Sequence, residues 1–362
     1  MKCEERLRGT MTIESRLRRS RAQSDEMLEW LQGTGKTIII IHDNPDPDCL
    51  ASAMALRHLL AMKLSRNATI AFSGMIARSE NLAMAKELEI TLTPLETVDL
   101  DDFSAVCMLD TQPGTGNNSL PPERRVDVVI DHHPLREETQ KCRRVDVRAD
   151  YGVTATILYE YLLAQNITIG TKLATALFYA IKSETQDLGR EANEPDRDAY
   201  LRLFPVANKR LLYEITYPKL PVEHFRTLHN GVENATIYGK LLVVNLQAIR
   251  FPEVVAEMAD YLIRLAGIET VLSMGLYNDG VILSIRTTST LLNAGEIIKR
   301  LVAGRGTGGG HGMMAGAKMD IAPGDLAALK EVEELLTRGL FLELSIGDVT
   351  PARLIERNVT GT

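Results

Sequence analysis

The chain has 362 residues, 45% hydrophobic and 25% charged, enough for two or three soluble globular domains. Its net charge of −7 and pI near 5.6 exclude the basic stripe that a long nucleic-acid footprint needs, though a local basic pocket is compatible with them. No apolar run approaches membrane-spanning length, and Cys3, Cys49, Cys107 and Cys142 show no CxxC spacing, which fits free thiols in a reducing cytoplasm.

The first residues are rich in arginine (Arg6, Arg8, Arg16, Arg18, Arg19, Arg21) but carry Glu4, Glu5 and Glu14 and no apolar signal core. They read as a solvated helical lead-in over 1–34, with Met11 as an alternative start. Ser24 is placed to cap a short amphipathic helix carrying Met27, Leu28 and Leu31. Gly33-Thr34-Gly35-Lys36-Thr37 mimics the end of a phosphate loop. Trp30 stands where that motif needs its first glycine, and a strand rather than a helix follows, so the segment is a turn.

Ile38–Ile41 is an unbroken β-branched run and reads as a strand buried on both faces. It leads into His42, Asp43, Asn44, Pro45, Asp46, Pro47 and Asp48, where two prolines force a turn before helical spacing resumes over Leu50–Leu60. Among them His42, Asp46 and Asp48 offer one imidazole and two carboxylates within seven residues, which suit a divalent cation such as Mn²⁺, Mg²⁺ or Zn²⁺. The alternative is a polar turn whose Asp and Asn cap the next helix.

Ala68–Gly74 reads as a second strand and Asn81–Leu88 as a helix. Ser104–Leu109 is a third strand ending at Asp110, and Val126–Ile130 a fourth ending at Asp131-His132-His133. Strands separated by helical spacers predict an α/β fold with a doubly wound parallel sheet, whose C-terminal strand ends share one edge. Helices follow at Tyr151–Leu163 and Thr171–Lys182, the second running into Ser183-Glu184-Thr185-Gln186-Asp187. Past Glu191 the sequence turns polar and then helical, read as a helical linker over 196–230.

A second, smaller α/β domain is expected over 231–345, with strands at Leu241–Asn245, Thr270–Tyr277 and Val281–Arg286, the last two joined by the hairpin signal Asn278-Asp279-Gly280. A helix at Ala294–Leu301 leads to a glycine-rich stretch, Gly304–His311. Gly304, Gly306 and Gly309 have dinucleotide-fingerprint spacing, but a helix rather than a strand precedes them, so an NAD site is excluded. Leu326–Leu336 is helical, and the tail over 346–362 carries no signal.

The order HDNPDPD, strand-end Asp110, Asp131-His132-His133 and AIKSET, with GGGH at 308–311, resembles the DHH phosphoesterase superfamily with its C-terminal DHH-associated domain. The match is nearest the branch of nanoRNases, pAp phosphatases and cyclic-dinucleotide phosphodiesterases. The resemblance implies a catalytic dimetal domain over 35–195 and a substrate-binding domain beyond the linker. It implies two divalent ions, Mn²⁺ ahead of Mg²⁺ or another divalent metal. His42 and Asp46 would hold one, Asp48 and His132 the other, with Asp110 bridging. Glu184 stands where the family has Asp in its fourth motif, with Asp187 as a rival ligand. Asp131 would orient the histidine pair and His133 would touch the substrate phosphate. Arg286, Gly309, Gly310 and His311 would hold the far end of the nucleotide. The implied activity is hydrolysis of nanoRNA, pAp or cyclic and linear dinucleotides by hydroxide that two metals activate. The expected setting is cytoplasmic, with a very short nucleotide as substrate, no long nucleic acid or membrane as partner, and a homodimer permitted. A pyrophosphatase-type phosphohydrolase and a catalytically inactive nucleotide-binding regulator are the alternatives, the latter supported by the substituted fourth motif.

Overall fold

The computed structural model describes residues 12–76, 78–190, 192–278, 280–322 and 324–355; Cys3, Arg6, Arg8, Met11, Glu191 and Asp279 lie outside them. The chain divides after Pro218 into two compact units. Among the described residues no helix is long and apolar enough to cross a membrane.

The first unit runs α1 (Ile13–Gln32), β1 (Thr37–Ile41), α2 (Pro47–Leu64), β2 (Thr69–Phe72), α3 (Ser79–Glu87), β3 (Thr93–Pro94), β4 (Ala105–Leu109), β5 (Val128–Asp131) and β6 (Arg144–Val147). It closes with α4 (Thr154–Ala164), α5 (Thr171–Glu184), α6 (Glu194–Leu203) and α7 (Lys209–Thr216). Its six strands form one parallel sheet in the order β3-β2-β1-β4-β5-β6. The winding direction reverses between β1 and β4, and the crevice at such a reversal is where ligands bind in open α/β sheets. The isoleucine run is buried on both faces as its composition demands. Ile39 and Ile41 pack among the helices, while Ile38 and Ile40 pack with Val106, Met108 and Val129 under Leu95 and Phe103. β3 and β6 have two and four residues, too few to show a period in sequence.

Three expectations are corrected in this unit. α1 is a twenty-residue helix capped by Thr12, and Ser24 lies inside it with its hydroxyl bonded to Ser20 O, so Ser24 caps nothing. Nor is α1 a solvated lead-in: Arg16, Ser20 and Ser24 are buried with Met27, Leu28 and Leu31. Of its charged residues Arg16 is the buried one, where the carboxylates of Glu160 and Asp198 meet it. Finally, the stretch over 196–230 is divided between the units. Ala199, Leu203, Leu212 and Ile215 enter the first core, while α8 (Val222–Asn234) begins the second unit.

The second unit continues with β7 (Thr236–Tyr238), β8 (Leu241–Ala248), α9 (Val254–Leu262), β9 (Thr270–Tyr277), β10 (Gly280–Thr287) and α10 (Ala294–Val302). β11 (Gly306–His311), β12 (Met314–Asp320), α11 (Leu326–Glu343) and β13 (Ala352–Arg353) complete it. Seven strands form a mixed sheet, β11-β12-β10-β9-β8-β7-β13, in which only β8 and β9 run parallel. The glycine-rich stretch is therefore an edge strand. A Cβ on Gly308 would stand 2.9 Å from that of Ala317, so β11 and β12 lie too close for larger side chains at the facing positions. Within the tail, Ala352 and Arg353 pair with Ile237 and Thr236.

Candidate metal centre

The adjacent strands β1, β4 and β5 end at His42, Asp110 and Asp131 respectively, so their C-terminal residues meet at one sheet edge. Asp46 serves two purposes. Its Oδ1 caps α2 by accepting from Cys49 N at 3.0 Å, and its Oδ2 lies 3.2 Å from His42 Nε2. Asp48, in the first turn of α2, is buried and accepts from the amides of Thr154 and Ala155 at 2.7 Å each. It thus caps α4, whose own N-cap residue, Val153, offers no side-chain acceptor. Asp110 leaves β4 with φ at 56°, a left-handed conformation that Asp tolerates better than most residues, and accepts from Thr154 Oγ1 at 2.9 Å.

Partners assign the same tautomer to all three histidines. His42 Nδ1 faces Asp43 O at 2.9 Å, His132 Nδ1 faces Tyr151 O at 3.2 Å and His133 Nδ1 faces Asp131 Oδ1 at 2.9 Å. Carbonyl and carboxylate oxygens only accept, so each Nδ1 carries a proton, and each Nε2 presents a lone pair when its ring is neutral. Asp131 is fixed in turn: its Oδ1 also accepts from the amides of His132 and His133, and its Oδ2 from Gln112 Nε2 at 2.6 Å.

With neutral rings and ionised carboxyls, lone pairs confront lone pairs. His42 Nε2 lies 3.2 Å from Asp46 Oδ2 and 3.6 Å from Asp110 Oδ2, while His132 Nε2 lies 3.6 Å from Asp110 Oδ1 and 3.9 Å from Asp48 Oδ2. Such acceptors are reconciled only by a cation or a proton between them. Burial, followed by the mutual charge of Asp46, Asp48 and Asp110, pushes the carboxyls of Asp48 and Asp110 well above their usual range. Burial also drives His132 down to about 4, leaving its imidazole neutral. Burial resists ionisation of Asp46 too, but the charge and hydrogen bond of His42 outweigh it and hold this carboxyl below its usual range. A hard imidazole-and-carboxylate donor set with excess buried negative charge fits divalent metal ions.

The description "DHH family, N-terminal domain" matches residues 36–181, and "DHHA1 domain" matches residues 239–338. The chain belongs to the DHH family. An uncharacterised protein of Methanocaldococcus jannaschii is 34% identical over 313 residues, covering 85% of this chain and 63% of its own length. A second protein of that organism is 27% identical over 169 residues, 45% of this chain and 49% of its own. The chain thus spans between about half and two thirds of these relatives. Among solved structures, an exopolyphosphatase-related protein from Bacteroides fragilis has 17% identity and a TM-score of 0.67, covering 89% of this chain and 98% of its own. The DHH domain of a member of the s1p family of ribosomal proteins has 14% identity and a TM-score of 0.56, covering 91% and 92%. These two share the fold.

In this DHH domain Glu184 ends α5, half-buried, and its charge is felt by Asp46 and Asp48. Burial, then those two carboxylates, raise its pKa to about 8. Asp187 is turned elsewhere, accepting from Lys182 Nζ at 2.7 Å and Tyr200 Oη at 3.1 Å. In the DHHA1 domain Arg286 lies within β10 and is nearly buried; its Nε donates to Asp260, and its Nη1 to Ser284 Oγ and Ile285 O. Nε is thus committed to Asp260 of α9 and Nη1 to the strand itself. Gly309 and Gly310 lie in β11 with His311, whose side chain falls outside the described part.

Three contributors escaped sequence reasoning. Thr154 and Gln112 act across the fold on Asp110, Asp48 and Asp131, and only a threonine at a helix start hinted at the first. Cys49, read simply as a free thiol, has its sulfur within 4.8 Å of ligand atoms of His42 and Asp46.

Proposed function

We propose that the protein hydrolyses phosphate esters of short nucleotides at a centre of two divalent ions, with Mn²⁺ the favoured metal. The observation that carries this reading is Asp110, whose two oxygens face His42 and His132 separately, dividing the ligands into two sets that share one carboxylate. His42 and Asp46 form one set, Asp48 and His132 the other, and Glu184 stands close enough to contribute charge. When bound, such an ion pair lowers the pKa of water and offsets charge on phosphoryl oxygens. The chain's own part is orientation. Thr154, Ala155 and Tyr151 hold Asp48, Asp110 and His132 in place, and Asp131 fixes the His133 ring. His133 remains partly exposed; burial opposes its protonation, but the hydrogen bond and charge of Asp131 raise its pKa overall. An Nε2 that gains a proton readily suits contact with an anionic phosphoryl oxygen. Gly309, Gly310, His311 and Arg286 are the proposed contacts to the nucleotide's other end.

The test is a hydrolysis panel with and without added Mn²⁺, comprising di- to pentanucleotides, pAp, cyclic and linear dinucleotides and inorganic pyrophosphate. Metal-dependent turnover of the short nucleotides is expected. Turnover of pyrophosphate alone would move the protein to the pyrophosphatase class, and binding without turnover of anything would make it a regulator.

A further inference from the structure

Behind the metal centre, a second polar cluster is buried where the proposed chemistry does not reach. Arg148 is 1% exposed, and all five of its guanidinium donors are committed. Nε donates to Asp146 at 3.0 Å, Nη2 to Asp146 Oδ2 at 2.6 Å and Ser20 Oγ at 3.0 Å, and Nη1 to Glu160 Oε2 at 2.9 Å and Tyr151 Oη at 3.1 Å. Tyr151 Oη donates in turn to Glu160 Oε2 at 3.0 Å. α1 closes the cluster from the other side. Arg16 reaches Glu160 at 3.0 Å and Asp198 at 2.6 Å, Ser20 Oγ donates to Glu160 at 3.0 Å, and Arg19 reaches Asp146 at 3.1 Å. Three cations thus meet the carboxylates of Asp146, Glu160 and Asp198, with Glu194 at the rim 3.8 Å from Arg16. Deleting one partner would leave another charge buried and uncompensated, so the cluster is kept whole or not at all.

The backbone of this cluster is the backbone of the metal centre. Arg148 N donates to Asp131 O at 2.9 Å, and Tyr151 N donates to Arg148 O at 3.0 Å. The Tyr151 carbonyl then accepts from His132 Nδ1 at 3.2 Å. A few residues on, Thr154 and Ala155 supply the amides that hold Asp48. The side chains of Arg148 and Tyr151 are therefore locked at the place where their main chain meets the ligands.

We propose that Arg148, clamped by Ser20 of α1 and by Tyr151, is a positioning residue that holds the Tyr151 carbonyl against the His132 ring and so fixes which nitrogen faces the metal. α1 then belongs to the working centre, although it precedes the matched DHH region at residue 36. The consequence for metal binding rests on the proposed reading of the centre; the tautomer of His132 does not.

The experiment uses the full chain and two charge-neutral variants, Ser20→Ala and Tyr151→Phe, each removing one hydroxyl that Arg148 touches. Thermal melts, calorimetric titration with Mn²⁺ and ¹⁵N spectra of the histidine rings are recorded for each. The expected result is a Mn²⁺ site weakened about tenfold or more, the range for partners that orient a ligand, together with a mixed His132 tautomer in place of a single Nδ1–H form. Arg148→Lys, which keeps the charge but loses the fork, should do more; if it fails to fold, the hydroxyl variants decide. Melting points that fall while Mn²⁺ affinity and the His132 tautomer stay at wild-type values would reduce the cluster to a structural plug and overturn the proposal. A wild-type protein that binds no Mn²⁺, yet whose His132 tautomer responds to Tyr151→Phe, would overturn the metal reading and leave the positioning role standing.

Discussion

Asp110 Oδ1 lies 3.6 Å from His132 Nε2, while the other oxygen of the same carboxylate lies 3.6 Å from His42 Nε2. One side chain therefore connects two histidines that come from strands on either side of it in the sheet. If both sets of ligands hold metal, Asp110→Ala should abolish both sites together rather than one. Titration with Mn²⁺ followed by calorimetry measures this, and two tight sites surviving in the variant would remove the bridging role.

The pH dependence of the metal-free protein has a definite sign. His42, Asp48, Asp110 and Glu184 all have pKa values raised in the folded state, Glu184 to about 8. Each therefore binds its proton more tightly when folded than when unfolded. Their contribution to stability is complete at low pH and is lost as pH rises through the folded values. Asp46, shifted down, acts oppositely but only in the acid range. From about pH 5 to about pH 8 the metal-free melting temperature should fall, and the increment produced by saturating Mn²⁺ should grow, because ligation needs the deprotonated carboxylates. Paired melts with chelator and with Mn²⁺ across that range check both trends. A constant increment would remove Glu184 from the ligand set.

Glu184 and Asp187 are separable by substitution. Glu184→Gln removes a charge felt by Asp46 and Asp48 and should cost more than the roughly 10–100-fold expected of an outer partner. Asp187→Asn touches only the contacts to Lys182 and Tyr200 and should fall at or below that range. Glu184→Asp restores the acid usual at this place in the family and should retain activity. Steady-state kinetics on a dinucleotide ranks the three, and the reverse order would transfer the ligand role to Asp187.

The legible parts of the chain were those where local pattern and tertiary role coincide. The isoleucine run, the strand ends at Asp110 and Asp131, and the β9–β10 hairpin partners could be found because burial on both faces and turn chemistry leave a local trace. α1 was misjudged because its buried Arg16 looks like a surface residue until Glu160, 144 positions away, is known to meet it. That the glycine stretch forms a strand leaves no trace in sequence, because glycine has no side chain to alternate, and here its bareness permits two strands to approach closely. Asp48 was read as a candidate ligand but not as the cap of α4, a contact spanning 106 residues that no window can contain.

The close approach of β11 to β12 separates stability from substrate contact. A Cβ at Gly306 would run into Lys318 O, whereas at Gly309 it would enter open space. Gly306→Ala should therefore destabilise the protein by about 1–3 kcal/mol, the range for overpacking, and Gly309→Ala by no more than about 0.5 kcal/mol. Urea titrations measure both. If Gly309 meets the nucleotide, its variant should instead raise KM, and an unchanged KM would take it out of the contact set.

The shared tautomer of the three histidines has a kinetic consequence. Once His42, Asp48 and Asp110 have lost their protons, Nε2 of His42 and His132 and the oxygens of Asp46, Asp48 and Asp110 all present electron pairs outward, and a phosphate group presents the same. Ligand set and substrate repel one another until positive charge stands between them. Under the proposed function the order of assembly is therefore compulsory, with cations first and nucleotide second. When divalent ions are scarce the protein would fall silent with its nucleotides still free in solution, and it would not sequester them. A chelator would then act on it at an earlier step than any phosphate analogue can.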